Sequence, residues 1–247
     1  GACVQWAERL PEALRGVVVG NEVLDAMPVK LLARCGGEWL ERGVAAVDPR
    51  SLRLPQMSSF PAAGQGAFIW QDRPTALRLP IEIAGSHDVV TEIHPQAHAF
   101  IRTLAEKLLR GGAGAAYFID YGFPEAEYWH LERSRGTLMC HRAHRADDDP
   151  LADVGDKDIT AHVDFTGIAL AAQDAGLDVL GYTSQGRFLI NCGIAPLMEA
   201  ASLPKRANAF KLLAEHEMGE LFKVIALSTP GHGPALGFAA GDRRHRL

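Results

Sequence analysis

Two short apolar runs in the chain each end abruptly in polar or acidic residues. Residues 17–20 are followed by Asn21 and Glu22, and residues 115–119 are followed by Asp120. An apolar run that stops in this way is typical of a buried parallel strand, whose carboxyl end lies at the sheet edge where ligands bind. The pattern therefore predicts an α/β fold in which both strands deliver acidic side chains to one cleft.

An amphipathic helix is predicted immediately before the second strand. From Ala97 to Leu108, apolar residues recur at intervals of three and four, which places them on one face of a helix. Pro95 suits the first turn of this helix, and Gly111 with Gly112 provides its end. The helix should therefore cover one face of the sheet.

The region after the second strand is less regular. Residues 124–157 contain many His, Arg and Asp residues and show little periodicity, so we expect a long polar loop. Asp158 is expected to cap a helix that ends at Gly176. The remaining predicted elements are a strand from residue 177, a helix over 207–218 with Phe210 facing inward, and a last strand over 221–227 that closes the sheet as an antiparallel pair.

Residues 29–90 have a different texture, with short apolar patches separated by Gly, Trp and Pro. The prolines exclude a long helix there, namely Pro49, Pro55, Pro61, Pro74 and Pro80. We therefore predict a β-rich insertion over 29–90, with residues 1–28 and 91–247 forming the core of the protein.

Composition excludes several classes of protein. The chain has 247 residues, of which 47% are hydrophobic and 22% charged, as in globular proteins. No apolar run approaches the ~18 residues of a membrane helix, so no membrane span is expected. The net charge of -5 and the scattered cations argue against a nucleic-acid partner. The four cysteines are far apart in the sequence, which does not indicate a disulfide framework.

The segment after the first strand is the first candidate for chemistry. Asn21, Glu22 and Asp25 cluster there, and Asp120 follows the second strand. Asp25 and Asn21 could instead cap a helix and turn the chain, and Asp120 could be a local hydrogen bonder. An acid at the end of a buried strand needs solvent or a partner, which favours a shared cleft. The sequence contains no nucleophile elbow and no phosphate-binding glycine loop.

A set of histidines forms the second candidate. His141 and His144 are three residues apart, and His162 and Asp164 follow. Such residues can bind zinc, but no metal-ligand spacing is completed and nearby arginines disfavour a cation, so we expect no metal. The set could position a polar or acidic substrate, or make ordinary loop hydrogen bonds. A hydrolase built on these histidines is a weaker alternative.

Five motifs occur in the order of a known family. They are Asn-Glu-Val-Leu-Asp-Ala-Met-Pro-Val at 21–29, Ile-Asp-Tyr-Gly-Phe at 119–123, Gly-Thr-Leu-Met-Cys-His at 136–141, Asp-Ile-Thr-Ala-His-Val-Asp-Phe at 158–165 and Gly-Tyr-Thr-Ser-Gln-Gly at 181–186. In this order they resemble the MidA-like S-adenosylmethionine-dependent methyltransferases, which include a mitochondrial protein that methylates an arginine of a complex I subunit.

The resemblance implies a class I methyltransferase fold, with a Rossmann-like sheet, and S-adenosyl-L-methionine as cofactor. It also implies a protein substrate with an arginine acceptor, a cytoplasmic location in bacteria and a mitochondrial matrix location for eukaryotic relatives, and it leaves a homodimer open. For such a reaction our hypothesis assigns catalysis to Glu22, Asp25 and Asp120, cofactor contacts to Asn21, Glu22 and Trp6, and substrate contacts to Tyr121, His141, His144, His162 and Asp164.

The chain departs from the family pattern in two places. The glycine-rich cofactor turn and the acidic residue of the next strand are not found, so we expect that N-terminal strands of the core are missing. Arg142 and Asp147 stand where the family tends to carry Tyr and His. The alternative function is therefore a truncated, non-catalytic member that serves as a protein-binding module.

Overall fold

The computed structural model describes residues 3–47, 67–85, 87–130, 132–143 and 145–247. These residues form two compact units, and each is described separately below. The first unit consists of Gly1–Met27, His94–Tyr128 and His162–Leu247, and the second of Pro28–Ile93 and Trp129–Ala161.

The elements follow one another along the described chain in a mixed order. The strands are β1 (Gly16–Asn21), β2 (Lys30–Cys35), β3 (Glu38–Val47), β4 (Ala67–Pro74), β5 (Val89–Ile93), β6 (Gly114–Phe123), β7 (Met139–Arg142), β8 (Arg145–Asp147), β9 (Asp158–Thr160), β10 (Val163–Asp164), β11 (Asp178–Ser184) and β12 (Phe222–Ser228). The helices are α1 (Pro95–Gly111), α2 (Glu125–Tyr128), α3 (Phe165–Asp174), α4 (Gln185–Asn191), α5 (Ile194–Glu199), α6 (Leu203–Leu213) and α7 (Met218–Leu221), and two 3₁₀ turns lie at Leu236–Phe238 and Arg244–Arg246.

The sheet of the first unit has the order β1-β6-β12-β11, and the short strand β10 also pairs with β6. Strands β1 and β6 are parallel, with Gly16 opposite Gly114 and Asn21 opposite Ile119. Strand β12 is antiparallel to both β6 and β11. The predicted α/β class and the predicted antiparallel closing pair are therefore confirmed.

The core of the first unit lies between this sheet and the helices α1 and α3. Both helices and the strands β6 and β12 contribute large buried side chains to it, among them Ile101, Leu104, Leu108, Ile168, Phe118, Ile225 and Leu227. Each such side chain contributes roughly 1.5–3 kcal/mol through burial. The predicted apolar stripe of α1 is confirmed, and Gly112 ends that helix in a left-handed conformation with φ of 81°.

The prediction that Asp158 caps a helix was wrong. Asp158 begins strand β9, which pairs with β7, and the helix α3 starts only at Phe165. The region 124–157, predicted as a loop, also contains α2, β7 and β8. Strand β9 forms by pairing with β7, which lies well before it in the sequence, and no local periodicity indicates that pairing.

Two burial predictions were also wrong. Strand β1 is not buried on both faces among the described residues, because Val17 and Val19 are 68% and 66% exposed. Phe210 was expected to face inward but is 59% exposed. Its helix α6 packs against other helices, α4, α5 and α7, and Phe210 lies on the outer side of that group.

The second unit is built from antiparallel strands in two sheets, with the orders β4-β3-β2-β5 and β8-β7-β9. The predicted insertion over 29–90 lies in this unit, which also takes in 129–161. Glu92 on β5 is fully buried, and its Oε1 accepts hydrogen bonds from the backbone N–H groups of Thr137 and Leu138 at 2.8 and 3.0 Å. This carboxylate ties the two segments of the unit together.

In the part of the chain that the structure describes, no helix combines the length and the apolar character needed to span a bilayer.

A first prediction concerns the contact between β6 and β10. A Cβ on Gly122 would lie 2.1 Å from the carbonyl oxygen of Val163, so Gly122→Ala must push the two strands apart. We expect the free energy of unfolding to fall by about 1–3 kcal/mol, as for other overpacked sites, measured by urea denaturation. Gly233→Ala is the control, because no atom lies within 4 Å of its Cβ position. Equal stability of the two variants would contradict the tight contact.

Candidate functional site

The carboxylate of Asp120 organises the edge of the sheet where β1 and β6 end. Asp120 is fully buried, and its Oδ2 accepts hydrogen bonds from the backbone N–H groups of Val23, Leu24 and Asp25 at 3.2, 2.9 and 3.3 Å. Its Oδ1 accepts a fourth, from the N–H of Tyr121, at 2.9 Å. The loop after β1 is thus held against the end of β6 by one side chain.

The loop makes a sharp turn directly after β1. Glu22 has a φ of 50°, the left-handed region that a residue with a side chain rarely adopts. Its N–H donates to the carbonyl oxygen of Ile119 at 2.9 Å. Such a conformation costs roughly 1–2 kcal/mol and persists only where the surroundings fix it. The hydrogen bonds to Ile119 and Asp120 provide that constraint.

Asp25 lies in the same loop and is 4% exposed. The hydroxyl of Tyr121 donates a hydrogen bond of 2.6 Å to its Oδ2. Its Oδ1 is buried and has no hydrogen-bond partner among the described residues. An unpaired buried carboxylate oxygen is costly, so this atom suits a donor from a bound molecule.

The surroundings of Asp120 change the ionisation of its carboxyl group. Burial raises the pKa of Asp120 to about 7, and the negative charge of Asp25 adds to the rise. The hydrogen bonds from the backbone N–H groups oppose this shift in pKa but do not cancel it. Asp120 therefore changes its charge near neutral pH.

The predicted cofactor contacts lie in different surroundings. Asn21 and Glu22 are exposed at the end of β1, and the Asn21 amide donates to Glu22 Oε1 at 3.0 Å. Trp6 is 93% exposed in a stretch without regular secondary structure. The structure thus brings Asn21 and Glu22 together, but it shows no contact of Trp6 with them.

Aromatic rings surround Tyr121. His162 stacks on Phe123 with ring centres 5.3 Å apart, and it meets the ring of Tyr121 edge-on at 5.1 Å. Phe222 contacts Tyr121 from another side at 5.4 Å. Of the predicted substrate contacts, Tyr121 and His162 therefore lie together next to Asp25. Phe123 and Phe222 were not predicted as site residues, although Phe123 belongs to the motif at 119–123.

Asp164 lies at the start of α3 and is 3% exposed. Burial raises its pKa to about 7, and the charge of Glu125 adds to the effect. A Cβ on Gly167 would lie 2.4 Å from Asp164 Oδ2 and 2.5 Å from His98 Nε2. The Asp164 carboxylate thus lies near His98 of α1, a neighbour that the sequence analysis did not identify.

The other two predicted histidines belong to a different part of the chain. His141 is exposed on β7 in the second unit, and His144 lies outside the described residues. No cluster of three or more His, Cys, Asp or Glu side chains that could hold a metal ion occurs within the described ranges.

The comparison with protein families agrees with the motifs. Residues 1–183 match the model of a family described as "Putative S-adenosyl-L-methionine-dependent methyltransferase". The chain belongs to this family. S-adenosylmethionine is accordingly the cofactor of the group, and the predicted family is confirmed.

Curated relatives point in the same direction. The chain is 28% identical over 238 residues to the protein arginine methyltransferase NDUFAF7 homolog, mitochondrial, of Drosophila melanogaster, a match over 90% of this chain and 49% of that protein. It is 24% identical to the protein of the same name from Caenorhabditis elegans, over 78% of this chain and 42% of that protein. The chain thus spans about half the length of the curated relatives that it matches.

Two crystal structures from Burkholderia thailandensis share the fold. One, bound to S-adenosyl-homocysteine, is 47% identical with a TM-score of 0.82, and the match covers 98% of this chain and 61% of that chain. The other, a native structure, is 46% identical with a TM-score of 0.84 and covers 98% and 63%. The predicted methyltransferase fold class is confirmed by this likeness.

The residues at the end of β1 suit such a cofactor chemically. Glu22 and Asn21 are exposed at the carboxyl end of a parallel strand, where nucleotide-like ligands bind in open α/β sheets. A carboxylate can accept hydrogen bonds from hydroxyl or amino groups, and it stabilises a nearby positive charge. The buried Asp25 Oδ1, which has no partner among the described residues, points to a donor that binds beside them.

The hydrogen bond between Tyr121 and Asp25 gives a second prediction. Tyr121→Phe removes the hydroxyl that donates to the buried Asp25 carboxylate, so we expect the free energy of unfolding to fall by about 1–3 kcal/mol in chemical denaturation. Tyr117→Phe, on the same strand, removes a hydroxyl with no hydrogen bond in the described structure and should change stability far less. Equal effects of the two substitutions would show that the bond to Asp25 contributes little.

Proposed function

We propose that this chain belongs to the catalytic region of an S-adenosylmethionine-dependent methyltransferase that acts on an arginine of a protein. The observation that carries the proposal is the pair of acidic side chains after β1, Glu22 and Asp25, at the ligand-binding edge of the sheet. The family supports methyl transfer, and the names of the two curated relatives suggest arginine as acceptor.

Two carboxylates suit a guanidinium acceptor for a physical reason. The guanidinium group is always protonated in water and offers five N–H donors in a planar fork. Asp25 has one oxygen engaged by Tyr121 and one without a partner among the described residues, and Glu22 accepts one hydrogen bond from Asn21. Each charge-assisted hydrogen bond that the acceptor adds contributes roughly 1.5–3 kcal/mol.

The cofactor, when bound, supplies an electrophilic methyl group on a positively charged sulfur. The role of the chain is to hold the acceptor nitrogen in line with that group, and such positioning can lower the barrier by roughly 7–11 kcal/mol. Asn21 and Glu22 are proposed to face the cofactor, and Glu22 with Asp25 to grip the acceptor. Tyr121 and His162 then line the entrance for the acceptor side chain.

The remaining predictions about partners belong to this proposal. His141, His144 and Asp164 stay predicted substrate contacts, and Trp6 stays a predicted cofactor contact. A cytoplasmic location in bacteria likewise stays a prediction of the resemblance, which leaves a homodimer open.

Calorimetric titration of the chain with S-adenosylmethionine and with S-adenosyl-homocysteine tests the cofactor site. We expect dissociation constants in the micromolar range, about -8 kcal/mol of binding free energy. An absence of binding heat for both compounds at several temperatures would reject cofactor binding by this chain and favour the alternative, a non-catalytic module that binds proteins.

A third prediction concerns the role of Glu22 in methyl transfer. The chain is incubated with radiolabelled S-adenosylmethionine and the proteins of a cell extract, and methylarginine is quantified after acid hydrolysis. Glu22→Gln should lower turnover about ten- to a hundredfold, the loss of one charge-assisted hydrogen bond, while the dissociation constant of the cofactor changes much less.

Glu38→Gln, at an exposed glutamate of the second unit, is the control and should leave both quantities unchanged. Unchanged turnover in Glu22→Gln would reject the assignment of Glu22. Label in another methylated amino acid would reject arginine as the acceptor.

A further inference from the structure

We infer that Asp120 is a positioning residue, which fixes the loop carrying Glu22 and Asp25 and does not itself contact the acceptor. The fixing of the loop follows from geometry alone, whereas its consequence for methyl transfer rests on the function proposed above. This assignment differs from the catalytic role that the sequence predicts for Asp120.

The Asp120 carboxylate already accepts four hydrogen bonds. A carboxylate offers about four lone-pair directions to donors. Three backbone N–H groups of the loop and the N–H of Tyr121 together supply four donors. Both carboxylate oxygens are therefore engaged by backbone N–H groups, and the side chain is fully buried.

The N–H groups of residues 23–25 depend on Asp120 for their hydrogen bonds. Residues 23–25 belong to neither a helix nor a strand, so no regular ladder satisfies their N–H groups. Leu24 and Asp25 are buried, which denies these groups water as a substitute. Glu22 is held in a left-handed conformation that its own residue type disfavours. The Asp120 carboxylate therefore stabilises a backbone conformation that the loop would otherwise leave.

Two consecutive residues of β6 contact different parts of Asp25. Asp120 holds the backbone of the loop, and the Tyr121 hydroxyl holds the side chain of Asp25. Lys223 is opposite Asp120 on β12, but its ammonium donates to the backbone carbonyl oxygens of Glu220 and Leu221. The charge of Asp25 contributes to the raised pKa of Asp120.

Nuclear magnetic resonance of the ¹⁵N-labelled chain tests this inference directly. An N–H that donates to a carboxylate changes its chemical shift when the carboxylate gains a proton. We expect the amide resonances of Val23, Leu24 and Asp25 to follow one titration curve, with a midpoint near the Asp120 pKa of about 7. Independent behaviour of the three amides would overturn the inference.

Two variants identify the titrating group. In Asp120→Asn the common titration of the three amides should vanish, because the side chain no longer ionises. In Asp25→Asn it should persist with a lower midpoint, because the negative charge that raises the pKa of Asp120 is gone. A curve that survives in Asp120→Asn would assign the titration to another group and reject the proposal.

Hydrogen exchange separates positioning from a general loss of stability. Asp120→Ala should accelerate exchange of the amides of residues 23–25 at least tenfold and leave those of α1, such as Leu104, unchanged. Asp120→Asn keeps one carbonyl oxygen as acceptor and should restore part of the protection. Asp178→Asn, at an exposed aspartate of β11, is the matched control. Equal acceleration in α1 would show a merely structural role and overturn the inference.

The outcome does not depend on the cofactor. If the three amides titrate together but calorimetry shows no cofactor binding, the loop contact stands and the proposed function fails. If cofactor binds and the amides do not respond to Asp120, the proposed function stands and the positioning role fails.

Discussion

The parallel pairing of β1 with β6 is the constraint on which the candidate site depends. With Asn21 opposite Ile119, the residues that follow each strand emerge at the same sheet edge. Glu22 and Asp120 are 98 positions apart in sequence, and the register of β1 against β6 places the residues that follow the two strands side by side. A shift by one residue would turn the side chains of β1 to the other face of the sheet. The hydrogen bonds between Asp120 and the loop are possible in this register.

The sequence predicted those parts of the fold that repeat a local pattern. The stripe of α1 follows from periodicity, and β6 and β12 follow from continuous apolar runs; both signals are visible in a single segment. Strand β9 was missed because it is stabilised by pairing with β7, and its three residues carry no periodic signal of their own. The exposure of Val17 and Val19 could not be predicted either, because it depends on which segments pack against β1 and not on the sequence of the strand itself.

The sequence indicated which acidic residues lie near one another, but not which of them bonds to the backbone of the loop. Acidic residues at strand ends indicated a cleft, and Glu22, Asp25 and Asp120 do lie around one loop. A sequence does not show whether a carboxylate accepts backbone N–H groups or faces a ligand, since both uses require the same residue type. In the structure Glu22 is exposed and Asp120 is completely buried, so the two carboxylates have different surroundings.

The ionisation of Asp120 connects the loop to the charge of an acceptor. Burial and the charge of Asp25 both raise its pKa, and a guanidinium held by Asp25 would neutralise the second of these causes. The pKa of Asp120 should then fall, so that the carboxylate form predominates near neutral pH. An ionised carboxylate is a stronger acceptor for the three loop N–H groups than a protonated one. A cationic acceptor would therefore tighten the loop that binds it, whereas a neutral acceptor would leave Asp120 partly protonated and the loop less firmly held.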